Sequence, residues 1–198
     1  MDNKKVISYI VKWIKDYVRN SSSNIDSLVV GVSGGIDSAL TSTLCAMTGI
    51  NTILVKIPIK SNDIGLSRLH CETLKSQYEN VKIFEICLSD IFDSYKNKCL
   101  QYDLSDDLGF ANSKSRMRMM LLYQFASKYS GIVVGTGNKV EDFGVGFYTK
   151  YGDGGVDISP IADLKKSQVK SLAKELNILE PILNAAPSDG LWEDDRTD

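Results

Sequence analysis

The side chains with the clearest chemical potential lie in Ser33-Gly34-Gly35-Ile36-Asp37-Ser38. They follow the apolar run Leu28-Val29-Val30-Gly31-Val32 and precede Ala39-Leu40-Thr41-Ser42-Thr43-Leu44. That order reads as a buried strand, a tight glycine turn and a helix. The first N–H groups of such a helix have no partner within it. Together with the hydroxyls of Ser33 and Ser38 they would cradle a phosphate, and Asp37 adds a carboxylate where a phosphate-bound Mg²⁺ could be held. The plain alternative is a connection that merely needed glycine, but that leaves the two hydroxyls and the carboxylate unexplained. The spacing is not that of a Walker A loop, which needs Gly-Lys-Ser/Thr, nor that of Gly-x-Gly-x-x-Gly.

Further polar groups recur later in the chain. The run Gly131-Ile132-Val133-Val134-Gly135-Thr136 reads as another buried strand, and Thr136 and Glu141 then place a hydroxyl and a carboxylate just past it. Residues Gly144 to Asp157 hold five glycines in fourteen positions, which disfavours regular structure. Phe147, Tyr148, Lys150 and Tyr151 make this stretch a shaped ligand loop rather than a polar linker. A helix expected over Ala111–Tyr129 carries Lys114, Arg116 and Arg118 in its first turns, against the helix dipole. Either an anionic ligand or pairing with surface carboxylates would account for them. Lys166 opens a helix that continues through Ser167-Gln168-Val169, and alone it reads equally as a solvated lysine. The single histidine, His70, has no second histidine to join it and is expected on a helix surface.

The elements that must position these groups alternate. Helical spacing of apolar residues over 4–19 predicts a first helix, followed by strands near 27–32, 52–57 and 81–86, with helices at the glycine loop, at 64–78 and from Ser89. Parallel strands need crossover helices, so the fold class is α/β: a doubly wound, mostly parallel sheet with helices on both faces. A ligand would sit at the carboxyl edge, where the glycine loop lies. A chain of 198 residues buries about 70% of its unfolded surface and is expected to form one domain over 1–198. The net charge of −2 gives no basic field for nucleic acid. Cys45, Cys71, Cys87 and Cys99 lack Cys-x-x-Cys spacing and read as reduced packing residues. No membrane span or signal sequence is apparent, so the expected location is cytoplasmic.

The glycine loop resembles the pyrophosphate loop of the ATP pyrophosphatase superfamily, which includes NAD, GMP and asparagine synthetases and tRNA-sulfurating enzymes. The stretch Thr149-Lys150-Tyr151-Gly152-Asp153-Gly154-Gly155-Val156-Asp157 narrows the choice. With Gly135-Thr136-Gly137-Asn138-Lys139 before it and Pro160 after it, it resembles ammonia-dependent NAD synthetase, a similarity running from Ser33 through Pro187-Ser188-Asp189-Gly190-Leu191-Trp192.

The resemblance implies an adenine nucleotide alpha hydrolase-like, Rossmann-like fold. It also implies ATP-dependent amidation of deamido-NAD to NAD⁺ through an adenylate, with release of pyrophosphate and AMP. By the same resemblance Gly31, Val32, Ser33, Gly34, Gly35, Ile36, Asp37 and Ser38 hold the ATP phosphates, while Thr136, Lys166 and Ser188 contact ATP. Asp37 and Glu141 bind Mg²⁺, Arg116, Lys150 and Asp157 contact deamido-NAD, and Asp37 and Lys166 carry the chemistry. Ser188 stands where the family more often has threonine. Asp153 reads equally as a metal or substrate contact and as a turn residue. A homodimer is implied, as is free ammonia in place of glutamine. The family continues past the position of Asp198, so the chain is expected to be shortened at its C-terminal end. The other readings are a GMP synthetase-like or tRNA-modifying adenylating enzyme, and an ATP-binding domain without turnover.

Overall fold

Four short runs rich in β-branched and leucine residues form the frame: β1 (Ser27–Gly31), β2 (Asn51–Lys56), β3 (Val81–Glu85) and β4 (Gly131–Val133). In the computed structural model, which describes residues 2–60 and 64–185, they pair in parallel in the order β3-β2-β1-β4. Each parallel step is bridged by helix. α2 (Ile36–Ala46) joins β1 to β2, α3 (Gly65–Gln77) joins β2 to β3, and α4 (Ser89–Leu100) with α5 (Asp107–Lys128) joins β3 to β4. α1 (Asn3–Asn20) precedes the sheet, and α6 (Lys166–Glu175) and α7 (Glu180–Leu183) follow it.

The strand period of two sorts the side chains. Leu28, Val30 and Leu54 enter a core shared with α1, α2 and α6, whereas Val29, Ile53 and Val55 enter a second core shared with α4 and α5. The doubly wound expectation is therefore met, with both faces of the sheet covered. α1 is fixed by Ile7, Ile10 and Ile14, whose burial stabilises by roughly 1.5–3 kcal/mol each. Its first turn is closed by Asp2, whose carboxylate accepts from the Lys5 N–H.

Several boundaries and placements differ from the sequence expectations. β4 stops at Val133 rather than Thr136, and beyond it Val134 forms an isolated parallel bridge with Ile158. The Asp157 N–H donates to the Val133 carbonyl at 3.0 Å, and the Gly135 N–H donates to the Ile158 carbonyl at 2.8 Å. α5 begins at Asp107, with Asp106 as its cap accepting from the Gly109 N–H. Lys114, Arg116 and Arg118 thus sit roughly two to three turns inside the helix, where the dipole argument no longer applies. Lys114 is buried with its ammonium 5.2 Å over the Phe92 ring, and Arg118 donates to the Ile57 carbonyl at 3.1 Å.

His70 is buried rather than on the helix surface. Cys45 and Cys71 are free, buried thiols pushed up to about 12 by desolvation, whereas Cys87 is exposed rather than packed. Among the described residues no helix is long and apolar enough to cross a membrane.

Candidate active site

β1 delivers the chain to the carboxyl edge at Gly31, where the Val32 N–H still donates to the Val55 carbonyl at 3.0 Å. The turn then needs glycine. Gly34 has φ +97°, a region costly for residues with a Cβ, and a Cβ there would lie 3.2 Å from the Ser67 backbone nitrogen of α3. α2 starts at once with Ile36 and Asp37. The two hydroxyls tie the turn to itself: Ser38 Oγ accepts from the Ser33 N–H at 3.3 Å and donates to the Gly35 carbonyl at 2.9 Å, while the Gly35 N–H donates to Ser33 Oγ at 3.2 Å. Behind the turn, Ser42 Oγ donates to the Ser38 carbonyl at 2.7 Å and lies 2.9 Å from His70 Nε2. Burial lowers the His70 pKa to about 4, so the ring is neutral at physiological pH.

Three elements meet at the mouth of this turn. Asp37 comes from the first turn of α2, Glu141 from a π-helical segment (Lys139–Val145), and Lys166 from the start of α6. The Lys166 ammonium donates to Asp37 Oδ2 and to Glu141 Oε1, both at 2.6 Å. Burial pushes the Asp37 carboxyl above its usual range in spite of this partner. Burial also pushes Lys166 down, but its two carboxylate bonds outweigh that and hold it above the ordinary lysine value.

Asn138 organises the pair and was not picked out in the sequence. It is fully buried, its Oδ1 caps the π-helical segment by accepting from the Val140 and Glu141 N–H groups at 3.0 and 3.2 Å, and its Nδ2 donates to Asp37 Oδ1 at 3.2 Å. An asparagine at the start of a helical turn was the available signal. Just beyond, burial and then the charges of Asp153, Glu141 and Asp37 push the Asp142 carboxyl up to about 6.

The convergence of two carboxylate oxygens on one ammonium tests the site for a divalent cation. Hard oxygen donors that already share one positive charge fit Mg²⁺. Among the described residues no cluster of three or more His, Cys, Asp or Glu side chains could hold a metal, so the remaining ligands would be phosphate oxygens and water.

The glycine-rich segment lies against α5. Asp153, left open between ligand and turn residue, is a turn anchor: its Oδ1 accepts from Ser115 Oγ at 2.6 Å and from the Thr149 N–H at 3.0 Å. Arg116 and Lys150 come together through the Arg116 Nε donating to the Lys150 carbonyl at 3.1 Å, and both side chains are exposed. Asp157 has both oxygens engaged, accepting from the Val133 N–H at 2.7 Å and lying 3.0 Å from the Tyr123 hydroxyl. Thr136 is half-buried two residues before Asn138, and Ser188 lies outside the described residues. These groups form a glycine turn, a cluster of two carboxylates about one ammonium, and a loop that exposes Lys150 and Tyr151. Such an arrangement suits the joining of a nucleotide to a second anionic substrate.

The chain matches the NAD synthase family over residues 6–198, and it belongs to that family of carbon–nitrogen ligases. It is 38% identical over 191 residues to the NH(3)-dependent NAD(+) synthetase of Sulfolobus acidocaldarius, covering 95% of this chain and 66% of that relative's length. Among solved structures, the NMN synthetase of Francisella tularensis superposes with a TM-score of 0.89 at 33% identity, covering 100% of this chain and 80% of that one. The NH3-dependent NAD synthetase of Campylobacter jejuni superposes with a TM-score of 0.81 at 31% identity, covering 92% and 77%.

Proposed function

We propose that the chain makes NAD⁺ by ATP-dependent amidation of deamido-NAD with ammonia. The observation that carries this reading is the meeting of Asp37, Glu141 and Lys166 at the mouth of the Ser33–Ser38 turn. The family and the named relatives supply the substrate class.

The substrate carboxylate is already an anion at neutral pH, so it attacks the ATP α-phosphorus without a general base and pyrophosphate leaves. Ammonia then attacks the adenylated carbonyl carbon and AMP leaves, giving the amide. What the protein must supply is alignment and charge neutralisation. Residues Gly31 to Ser38 hold the triphosphate, with Thr136 and Ser188 as further ATP contacts. Asp37 and Glu141 would hold Mg²⁺, which when bound neutralises phosphate charge. With the two carboxylates so occupied, the Lys166 ammonium is free to pair with the pyrophosphate. Arg116 and Lys150 face the dinucleotide, and Asp157 meets it from a position fixed by Val133 and Tyr123. Residues 1–198 act as one ATP pyrophosphatase domain in the cytoplasm, working as a homodimer.

A second reading is favoured by the superposition on the F. tularensis NMN synthetase: the same machinery would amidate the mononucleotide acid to NMN. The deciding experiment supplies ATP, Mg²⁺ and an ammonium salt with either acid, and follows NAD⁺, NMN and pyrophosphate. Ammonium-dependent NAD⁺ with stoichiometric pyrophosphate is expected. Preferential formation of NMN would move the assignment to the second reading, and the absence of both products would overturn the amidation.

A further inference from the structure

One face of α5 reads the glycine-rich segment at successive points. Ser115, Arg116 and Tyr123 follow Asn112 by three, four and eleven residues, which brings all four to one side of the helix. Each meets the segment 149–157. Thr149 Oγ1 donates to Asn112 Oδ1 at 2.6 Å, Ser115 Oγ donates to Asp153 Oδ1 at 2.6 Å, and Arg116 Nε donates to the Lys150 carbonyl at 3.1 Å. The Tyr123 hydroxyl lies 3.0 Å from both the Gly155 carbonyl and Asp157 Oδ1.

The contact at Ser115 is reciprocal, because the Asp153 N–H donates back to Ser115 Oγ at 3.0 Å. It is also tight: a Cβ on Gly152 would lie 2.3 Å from that oxygen, so only glycine permits the approach. Between these anchors Tyr151 is held at φ +65°, a left-handed conformation that a non-glycine residue keeps only where its surroundings over-determine it. The result is a taut loop that displays the exposed Lys150 and Tyr151 side chains.

We propose that Ser115 and Tyr123 are positioning residues for the pyridine-nucleotide substrate, acting through Asp153 and Asp157 to fix the loop that carries Lys150. The proposal rests on reading that loop as the acid-substrate side of the site. Neither residue hydrogen-bonds to the Ser33–Ser38 turn, so their loss weakens the acid substrate and spares ATP.

The test uses the whole chain carrying Ser115→Ala or Tyr123→Phe, each removing one hydroxyl and adding no bulk. In hydrogen exchange followed by mass spectrometry, peptides spanning 149–155 are expected to exchange at least about fivefold faster in both variants, with unchanged melting temperature. In steady-state kinetics the KM for the acid substrate rises about five- to tenfold, as one lost hydrogen bond predicts, while the KM for ATP stays within about twofold. A double-mutant cycle of Ser115→Ala with Asp153→Ala is expected to be strongly non-additive.

Unchanged loop exchange overturns the proposal. So does faster exchange without a rise in the acid KM, an equal rise in the KM for ATP, or an additive cycle. Should the wild-type chain form no amide at all, the amidation reading fails by itself, and the exchange and its coupling in the same cycle still decide whether Ser115 and Tyr123 hold the loop.

Discussion

Two carboxylates facing one another at a partly buried site repel unless a cation stands between them, and Lys166 is that cation for Asp37 and Glu141. A divalent ion entering the same place must displace the ammonium from both oxygens. Lys166→Met is therefore expected to bind Mn²⁺ on the order of tenfold more tightly than wild type, since a charge-assisted hydrogen bond contributes about 1.5–3 kcal/mol. Its turnover should nevertheless fall by about 10²–10³, the usual cost of removing a preorganised charge donor. Asp37→Asn should lose both affinity and turnover. Titration followed by Mn²⁺ electron paramagnetic resonance separates the cases, and Lys166→Met binding no more tightly than wild type would refute the competition.

At this scale the sequence was partly legible. Asp37 was marked by its own glycine turn, because a strand, a glycine turn and a helix in succession are a local pattern. Asn138 was not, because its partner Asp37 is 101 residues away and only the fold brings them together. Asp153 was open between ligand and turn residue, and the hydrogen bonds that hold it to α5 and Asp157 to α5 and β4 are contacts that no local pattern encodes.

Among the elements, α2 and α3 are joined behind the Ser33–Ser38 turn by the Ser42–His70 pair, and this contact has a pH dependence of definite sign. The folded His70 has a pKa lowered to about 4 from 6.5, so between those values the unfolded chain binds the proton and the folded one does not. Stability is thus fully present above pH 6.5, declines as pH falls towards about 4, and is flat below. The loss is roughly 3 kcal/mol at most, at 1.36 kcal/mol per unit. Urea unfolding from pH 7.5 to 4.5 should show this slope for wild type and a shallower one for His70→Gln; equal slopes would place the proton uptake elsewhere.

The strands and crossover helices were readable because apolar runs and glycine breaks are local. The π-helical segment was not: its residues resemble a loop, and the cap at Asn138 and its tie to Asp37 fix it. The start of α5 was placed too late because Asp107-Leu108-Gly109 breaks the apolar period, while the helix is held there by the Asp106 cap.

For the molecule as a whole, the two cores share the backbone of β1 and β2, so a cavity in either should weaken both. Leu44→Ala in the α2 core and Leu122→Ala in the α5 core are each expected to cost about 2–5 kcal/mol and to shift one common unfolding transition. Separate transitions by near- and far-ultraviolet circular dichroism would show that the cores unfold independently.

The outer surface of the α4–α5 layer raises a different question. Tyr102 and Leu104 in the turn between the helices, with Leu108 and Met120 on α5, are each about two-thirds exposed. Exposed apolar side chains can serve association, so this layer is the face on which the proposed homodimer is tested. Leu108→Asp and Met120→Lys place charges at positions that cost the monomer within about 0.5 kcal/mol, yet would bury an unpaired charge in a two-fold contact that uses each residue twice. Sedimentation velocity is expected to show a wild-type dimer at micromolar concentration and monomers for both variants with unaltered circular dichroism. A wild-type monomer would remove the dimer from the mechanism, and variants that stay dimeric would move the contact to another face.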